Sequence, residues 1–173
     1  MQKKTKNLII RYCILLLIGL SLTLIYKLFL PLTLYPAYFL LKLFYNASLS
    51  CDKSIIIGAF KIEIISACVA ISAYYLLLIL NLTTSMKKKN RIYSLFFSLV
   101  SLLVLNILRI FILSILYING FKYADIVHSI TWHLLSIAFV IGIWFLTIKI
   151  FKIKKIPIRD DLVFLRKKLK KTK

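Results

Sequence analysis

Four apolar runs of about twenty residues or more, each flanked by lysine and arginine on one side, constrain this 173-residue chain more than any other feature. Such a run crosses a hydrocarbon layer as a helix, because only there does every backbone polar group find its partner within the segment. The runs cover residues 8–30, 66–85, 92–118 and 124–148. With 61% hydrophobic residues against 17% charged, and a mean hydropathy of +0.91, no globular surface could hide the apolar fraction. A soluble enzyme, a disordered basic tail protein and a disulfide scaffold are excluded.

The charge is strongly asymmetric: 25 Lys and Arg against 5 Asp and Glu, for a net +20. In isolation that figure would point to nucleic acid. Here most of the cations border the apolar runs, so the partner is the lipid bilayer and no nucleic acid is expected. Lys3, Lys4, Lys6 and Arg11 lead into the first run, and Lys87, Lys88, Lys89 and Arg91 join the second to the third. Eleven more lie from Lys149 onward, so these three groups hold nineteen of the 25 cations. Basic flanks stay cytoplasmic, which puts both termini inside with four crossings between them. Residues 32–45, with Pro31 and Pro36 breaking the helix, then lie along the outer interface. A five-crossing alternative would force the basic N-terminus outside. The first run lacks a small-x-small cleavage site and reads as a retained helix.

Residues 46–65 then face outside. Two β-branched runs flank Gly58-Ala59, and Phe60-Lys-Ile-Glu-Ile64 alternates in polarity, which predicts a small β-hairpin. The expected fold is an all-α polytopic membrane protein with about four transmembrane helices, an interfacial helix and this hairpin. It forms one helical domain over residues 1–150, followed by a basic cytoplasmic tail at 151–173 that anchors the topology or lies on anionic head groups. Cys13, Cys51 and Cys68 are too few for a disulfide framework or zinc cluster, and a Cys51–Cys68 bridge is disfavoured. No CxxC, HExxH, GxGxxG or P-loop occurs, so neither metal nor cofactor is expected.

Ionisable residues inside an apolar run are costly and raise a functional hypothesis by default. Arg109 stands late in the third run with aliphatic neighbours on both sides. Asn106, three residues earlier and on the same helix face, can orient its guanidinium. The bland reading is an arginine snorkelling to the outer head groups. Cys68 opens the second run with Ser72 and Tyr75 on its face, and its bland reading is simple packing. His128 opens the fourth run, sharing its face with Asp125, Ser129, Trp132 and Ser136; His133, about 140° away, points elsewhere.

Depth ties the three together. Cys68 is 19 residues from Lys87, Arg109 is 18 from Arg91, and His128 is 21 from Lys149. At about 1.5 Å per residue, each stands roughly 27–32 Å from the cytoplasmic flank, near the outer edge of the hydrocarbon layer. A thiol, an imidazole and a guanidinium at one level can perform nucleophilic acyl transfer. His128 takes the thiol proton and later protonates the leaving amine, while Arg109 holds the oxyanion and favours the thiolate.

At these residues the chain resembles the exosortase and archaeosortase family, multi-pass membrane enzymes that process C-terminally anchored surface proteins. The resemblance runs over residues 54–145, on Ser66-Ala-Cys68, Asn106-Ile-Leu-Arg109 and Asp125-Ile-Val-His128 with Trp132 following. It implies a cysteine peptidase or transpeptidase with Cys68 as nucleophile, Arg109 as oxyanion stabiliser and His128 as acid and base. It also implies membrane-anchored protein substrates whose C-terminal sorting signal comprises a short motif, a transmembrane helix and a basic cluster. Family members usually follow the cysteine with Ser-Gly or Thr-Gly, whereas Val69-Ala70 follow here, and this chain is shorter, like a compact archaeal-type member. The rival classes are a non-enzymatic membrane assembly protein, in which Asn106 and Arg109 only join helices, and a lipid-directed acyltransferase. Lys61 and Glu63 are either solvated hairpin charges or the border of a substrate entrance.

Overall fold

The computed structural model describes residues 2–50 and 52–153. Cys51 and residues 154–173, with most of the basic tail, lie outside the described residues, as do the side chains of Asp125 and His133. The chain is mostly helical: α1 (Gln2–Leu20), α2 (Leu22–Phe44), α3 (Ser66–Val69), α4 (Ile71–Thr83), α5 (Lys88–Ile118), α6 (Ala124–Ile130) and α7 (Ser136–Ile150), with a π-helical turn, Thr131–Leu135, between the last two. Three helices, Leu22–Phe44, Ser66–Thr83 and Lys88–Ile118, are long and apolar enough to cross a membrane, and Leu8–Leu20 and Ser136–Ile150 are shorter apolar helices. Leu20, Leu24, Phe96 and Phe145 turn outward with more than 60% of their surface exposed, as hydrocarbon-facing side chains do.

The helix α5 runs 31 residues without a glycine or proline. It stops where Gly120 takes a φ of +65°, and the Gly120 and Phe121 amides bond back to the Tyr117 and Leu116 carbonyls. That is a Schellman ending, which glycine adopts without a Cβ penalty.

The break expected at Pro31 and Pro36 is not there. Both prolines sit inside the continuous α2, and the chain kinks instead at Ser21 (φ −125°, ψ 53°). A proline forfeits one helical hydrogen bond. Here a buried stripe of Leu30, Leu34, Ala37 and Leu41, packed across α3, α5 and β1, holds the helix through both prolines. The C-terminal half of α2 therefore packs on α5, where Phe44 meets Phe111 at 5.7 Å, and is not a detached segment.

The predicted hairpin forms from β2 (Ser54–Ile57) and β3 (Phe60–Glu63), with Ser54 opposite Glu63 and Ile57 opposite Phe60. Gly58 supplies the positive φ (+57°) at the first turn position. A strand absent from the sequence reading, β1 (Ala47–Leu49), completes an antiparallel sheet in the order β1-β2-β3. Asp52 accepts a hydrogen bond from Ser54 Oγ at 2.6 Å and pairs with Lys61, closing the sheet's rim.

The cations gather at the opposite end. Arg11 Nη1 donates to the Leu82 carbonyl at 3.0 Å and Arg91 Nη2 to the Thr84 carbonyl at 2.9 Å, while Phe97 packs on Phe151 at the end of α7. Just inside this end, Asn81, Ser94, Ser98 and Thr147 form a fully buried polar network across α4, α5 and α7. Among lipid-immersed helices such bonds, not apolar burial, hold neighbours together.

Candidate active site

Cys68 sits on α3, a single turn cut off from α4 because Ala70 adopts the left-handed conformation (φ 59°, ψ 43°). Ala70 thus holds a backbone conformation that glycine adopts more readily. The left-handed region costs a non-glycine residue about 1–2 kcal/mol. The break also leaves the Cys68 carbonyl without a helical amide, while the Ala67 carbonyl keeps the Ala70 amide at 3.2 Å.

Those carbonyls are taken up from α5. Asn106 Nδ2 donates to the Cys68 oxygen at 2.7 Å, and Arg109 Nη2 reaches the same oxygen at 3.3 Å and that of Ala67 at 3.4 Å. Asn106 was expected to orient the guanidinium; it holds the backbone of the thiol-bearing turn instead. Arg109 is buried (8% exposed), its Nη1 donates to Ser136 Oγ at 3.0 Å, and its Nε has no partner. The snorkelling alternative does not describe this side chain, which points its donors at protein groups. Its two carbonyl bonds are long for a charged donor, whose bonds usually measure about 2.7–2.9 Å.

Ser136 belongs to α7, eight residues after His128. At ~100° per residue it would stand about 80° from the His128 direction. The intervening Thr131–Leu135 turn is π-helical and winds more slowly, which swings Ser136 back toward that direction. Ser72 and Tyr75 leave the site. Past the break Ser72 is exposed, and Tyr75 donates its hydroxyl to the Leu15 carbonyl of α1 at 3.1 Å.

Cys68, Arg109 and His128 line one cavity of about 250 Å³, bounded by β3, α3, the end of α5 and α6. A smaller crevice bordered by the same three also includes Thr131 and Trp132. Cys68 is a free, partly buried thiol whose Sγ lies 3.9 Å from the Glu63 carbonyl oxygen. The walls are mainly apolar, from Ile62, Ile64, Ile110, Leu113 and Tyr117. Lys61 and Glu63, both exposed, also border the cavity. The α5 contributors were missed in the sequence, although Leu113 and Tyr117 continue the Arg109 face at i+4 and i+8.

Among the described residues no group of His, Cys, Asp and Glu could hold a metal ion. The arrangement offers a nucleophile, an imidazole and a fixed positive charge around one cavity. No protein-family model, curated protein or solved structure matches the chain.

Proposed function

We propose that this chain is a membrane cysteine peptidase or transpeptidase of the exosortase and archaeosortase type. It cleaves C-terminal sorting signals of membrane-anchored surface proteins on the extracytoplasmic side. The observation that carries the reading is the meeting of Cys68, Arg109 and His128, from three separate helical segments, on one cavity.

In this reading residues 8–30, 66–85, 92–118 and 124–148 make four crossings of the cell membrane. The end marked by Arg11 and Arg91 is cytoplasmic, with both termini. The sheet, the outer half of α2 and the last turns of α5 form a cap at the outer interface. His128 takes the Cys68 proton, and the thiolate attacks the scissile carbonyl carbon. Negative charge moves to the carbonyl oxygen, where Arg109 stabilises it. Because Asn106 already serves the Cys68 carbonyl, Arg109 can release that long bond without orphaning a buried acceptor. The tetrahedral adduct collapses to a thioester as His128 protonates the departing amine. His128 then deprotonates the acceptor, which attacks the thioester and returns the thiol.

Co-expression with a protein bearing a sorting signal tests this. Cys68→Ala and Cys68→Ser should abolish processing, whereas undiminished processing in both would refute it.

A second reading, a non-enzymatic assembly protein, draws on a specific observation: Asn106 and Arg109 cap α3 and so join helices whatever the thiol does. An impermeant maleimide separates the two. In a chain lacking Cys51, the proposed enzyme is labelled at Cys68 from outside, and a merely packed thiol is not.

A further inference from the structure

The cavity wall carries two charges of opposite sign, and they are not equivalent. Lys61 pairs with Asp52, whose carboxylate is held in place by Ser54. Its ammonium is therefore engaged on the sheet's rim and raised in pKa by that partner. Glu63, two residues on and facing the same cavity, makes no ion pair among the described residues. In a chain of net +20, an uncommitted carboxylate at the mouth of the candidate site is an exception. The residue is also close to the chemistry: its backbone oxygen lies 3.9 Å from Cys68 Sγ.

Glu63 stands exposed on β3, where a ligand can reach its carboxylate. A carboxylate in that position attracts a cation and repels an anion. Arg109, which lines the same cavity, answers to an oxyanion in the proposed mechanism. The cavity thus carries charges of both signs around Cys68.

We propose that Glu63 forms a subsite for an ammonium group beside Cys68, which selects amine-bearing ligands at the candidate site. This rests on the peptidase reading and deepens it. The amine has two possible sources with the same chemistry, a basic side chain next to the scissile bond or the α-amine of an acceptor.

The test reads the charge at the thiol, not turnover. Full-length protein lacking Cys13 and Cys51 is placed in liposomes, and the rates at which a cationic and an anionic methanethiosulfonate modify Cys68 are compared. Glu63→Gln is expected to lower the cationic-to-anionic rate ratio about three- to tenfold, and Glu63→Asp to keep most of it. An unchanged ratio overturns the proposal, and so does a thiol that neither reagent reaches. In a second arm, N-acetyl-lysinamide and glycinamide compete with a neutral thiol reagent. Protection by the first assigns a basic side chain, and protection by the second an acceptor amine. Either protection must vanish in Glu63→Gln, and a shifted ratio with no protection reduces Glu63 to a field effect and overturns the subsite. If Cys68→Ala leaves processing intact while the ratio still shifts, the peptidase reading fails and the cation subsite stands.

Discussion

Asn106 donates to the carbonyl oxygen of Cys68 at 2.7 Å, a bond between residues 38 positions apart. It fixes the thiol-bearing turn to the middle of the longest helix. Replacing Asn106 with Ala leaves the Cys68 carbonyl to Arg109 alone, an exchange worth about 1–3 kcal/mol for a buried acceptor. Thermal unfolding in detergent should show that loss. On the proposed mechanism, processing should fall further than stability does, because Arg109 is then tied to the carbonyl. Equal losses in both would argue that Asn106 is only structural.

Arg109→Lys keeps the charge but not the fork. A single ammonium cannot reach Ser136 Oγ and the two α3 carbonyls in the present geometry. Processing should drop by about 10²–10³-fold, the usual loss on removing an oxyanion donor. Unimpaired processing would remove Arg109 from the mechanism.

Ala70 holds a left-handed backbone at φ 59° while nearly buried. Glycine relieves about 1–2 kcal/mol there but gives back roughly 0.5–1 kcal/mol in unfolded-chain entropy. Ala70→Gly should therefore change stability by about 1 kcal/mol at most. Ala70→Val, β-branched in a region that excludes such residues, should cost clearly more. Paired melting curves decide, and a Val variant as stable as Gly would show that the turn relaxes.

The Asp52 carboxyl is pulled well below the usual carboxylate range by Lys61 and then by Ser54. A depressed folded-state pKa contributes stability that is present above the unfolded value of about 3.9 and lost as pH falls through the folded value. The amide resonance of Ser54 should stay constant from pH 7 to about 4 and move only below that. Asp52→Asn should flatten the acid response. A midpoint at an ordinary carboxylate pKa would show that the pair is not formed. Both partners are about half exposed, so the global stability effect is small.

Gly19 lies under the Tyr75 ring, where an added Cβ would come within 2.4 Å of the hydroxyl oxygen. Gly19→Ala should displace Tyr75 from the Leu15 carbonyl and lower the melting temperature. Tyr75→Leu in the same chain should recover part of it by vacating the space. An unchanged melting temperature in Gly19→Ala would mean that α1 and α4 are not pressed together there.

The hairpin and the apolar runs at 66–85 and 92–118 were legible because length and alternation are local properties. Gly58 marked its turn, and the basic flanks foretold that Cys68 and Arg109 would stand at one level. Position on the far side of a packing interface was not legible. Pro31 and Pro36 read as a break because proline loses a bond locally, whereas the stripe that carries α2 through them depends on α3, α5 and β1. The left-handed turn at Ala70 had no glycine to announce it, so the Ser72 and Tyr75 face was projected straight through it. Strand β1 has only three residues and draws its stability from β2, which no local pattern reports.

The π-helical turn at Thr131–Leu135 makes the spacing of the last segment a matter of residue count as much as residue type. Such a turn accommodates one more residue than a regular α-helix over the same rise. Deleting any one of the five would let the segment close into ordinary α-helix. Seven residues at ~100° each would then bring Ser136 to within about 20° of the His128 direction, so Arg109 would keep its hydroxyl partner. Closing the turn into α-helix at its present length would instead leave Ser136 about 80° away. A single-codon scan across the turn would expose this dependence on length, with deletions tolerated and insertions not.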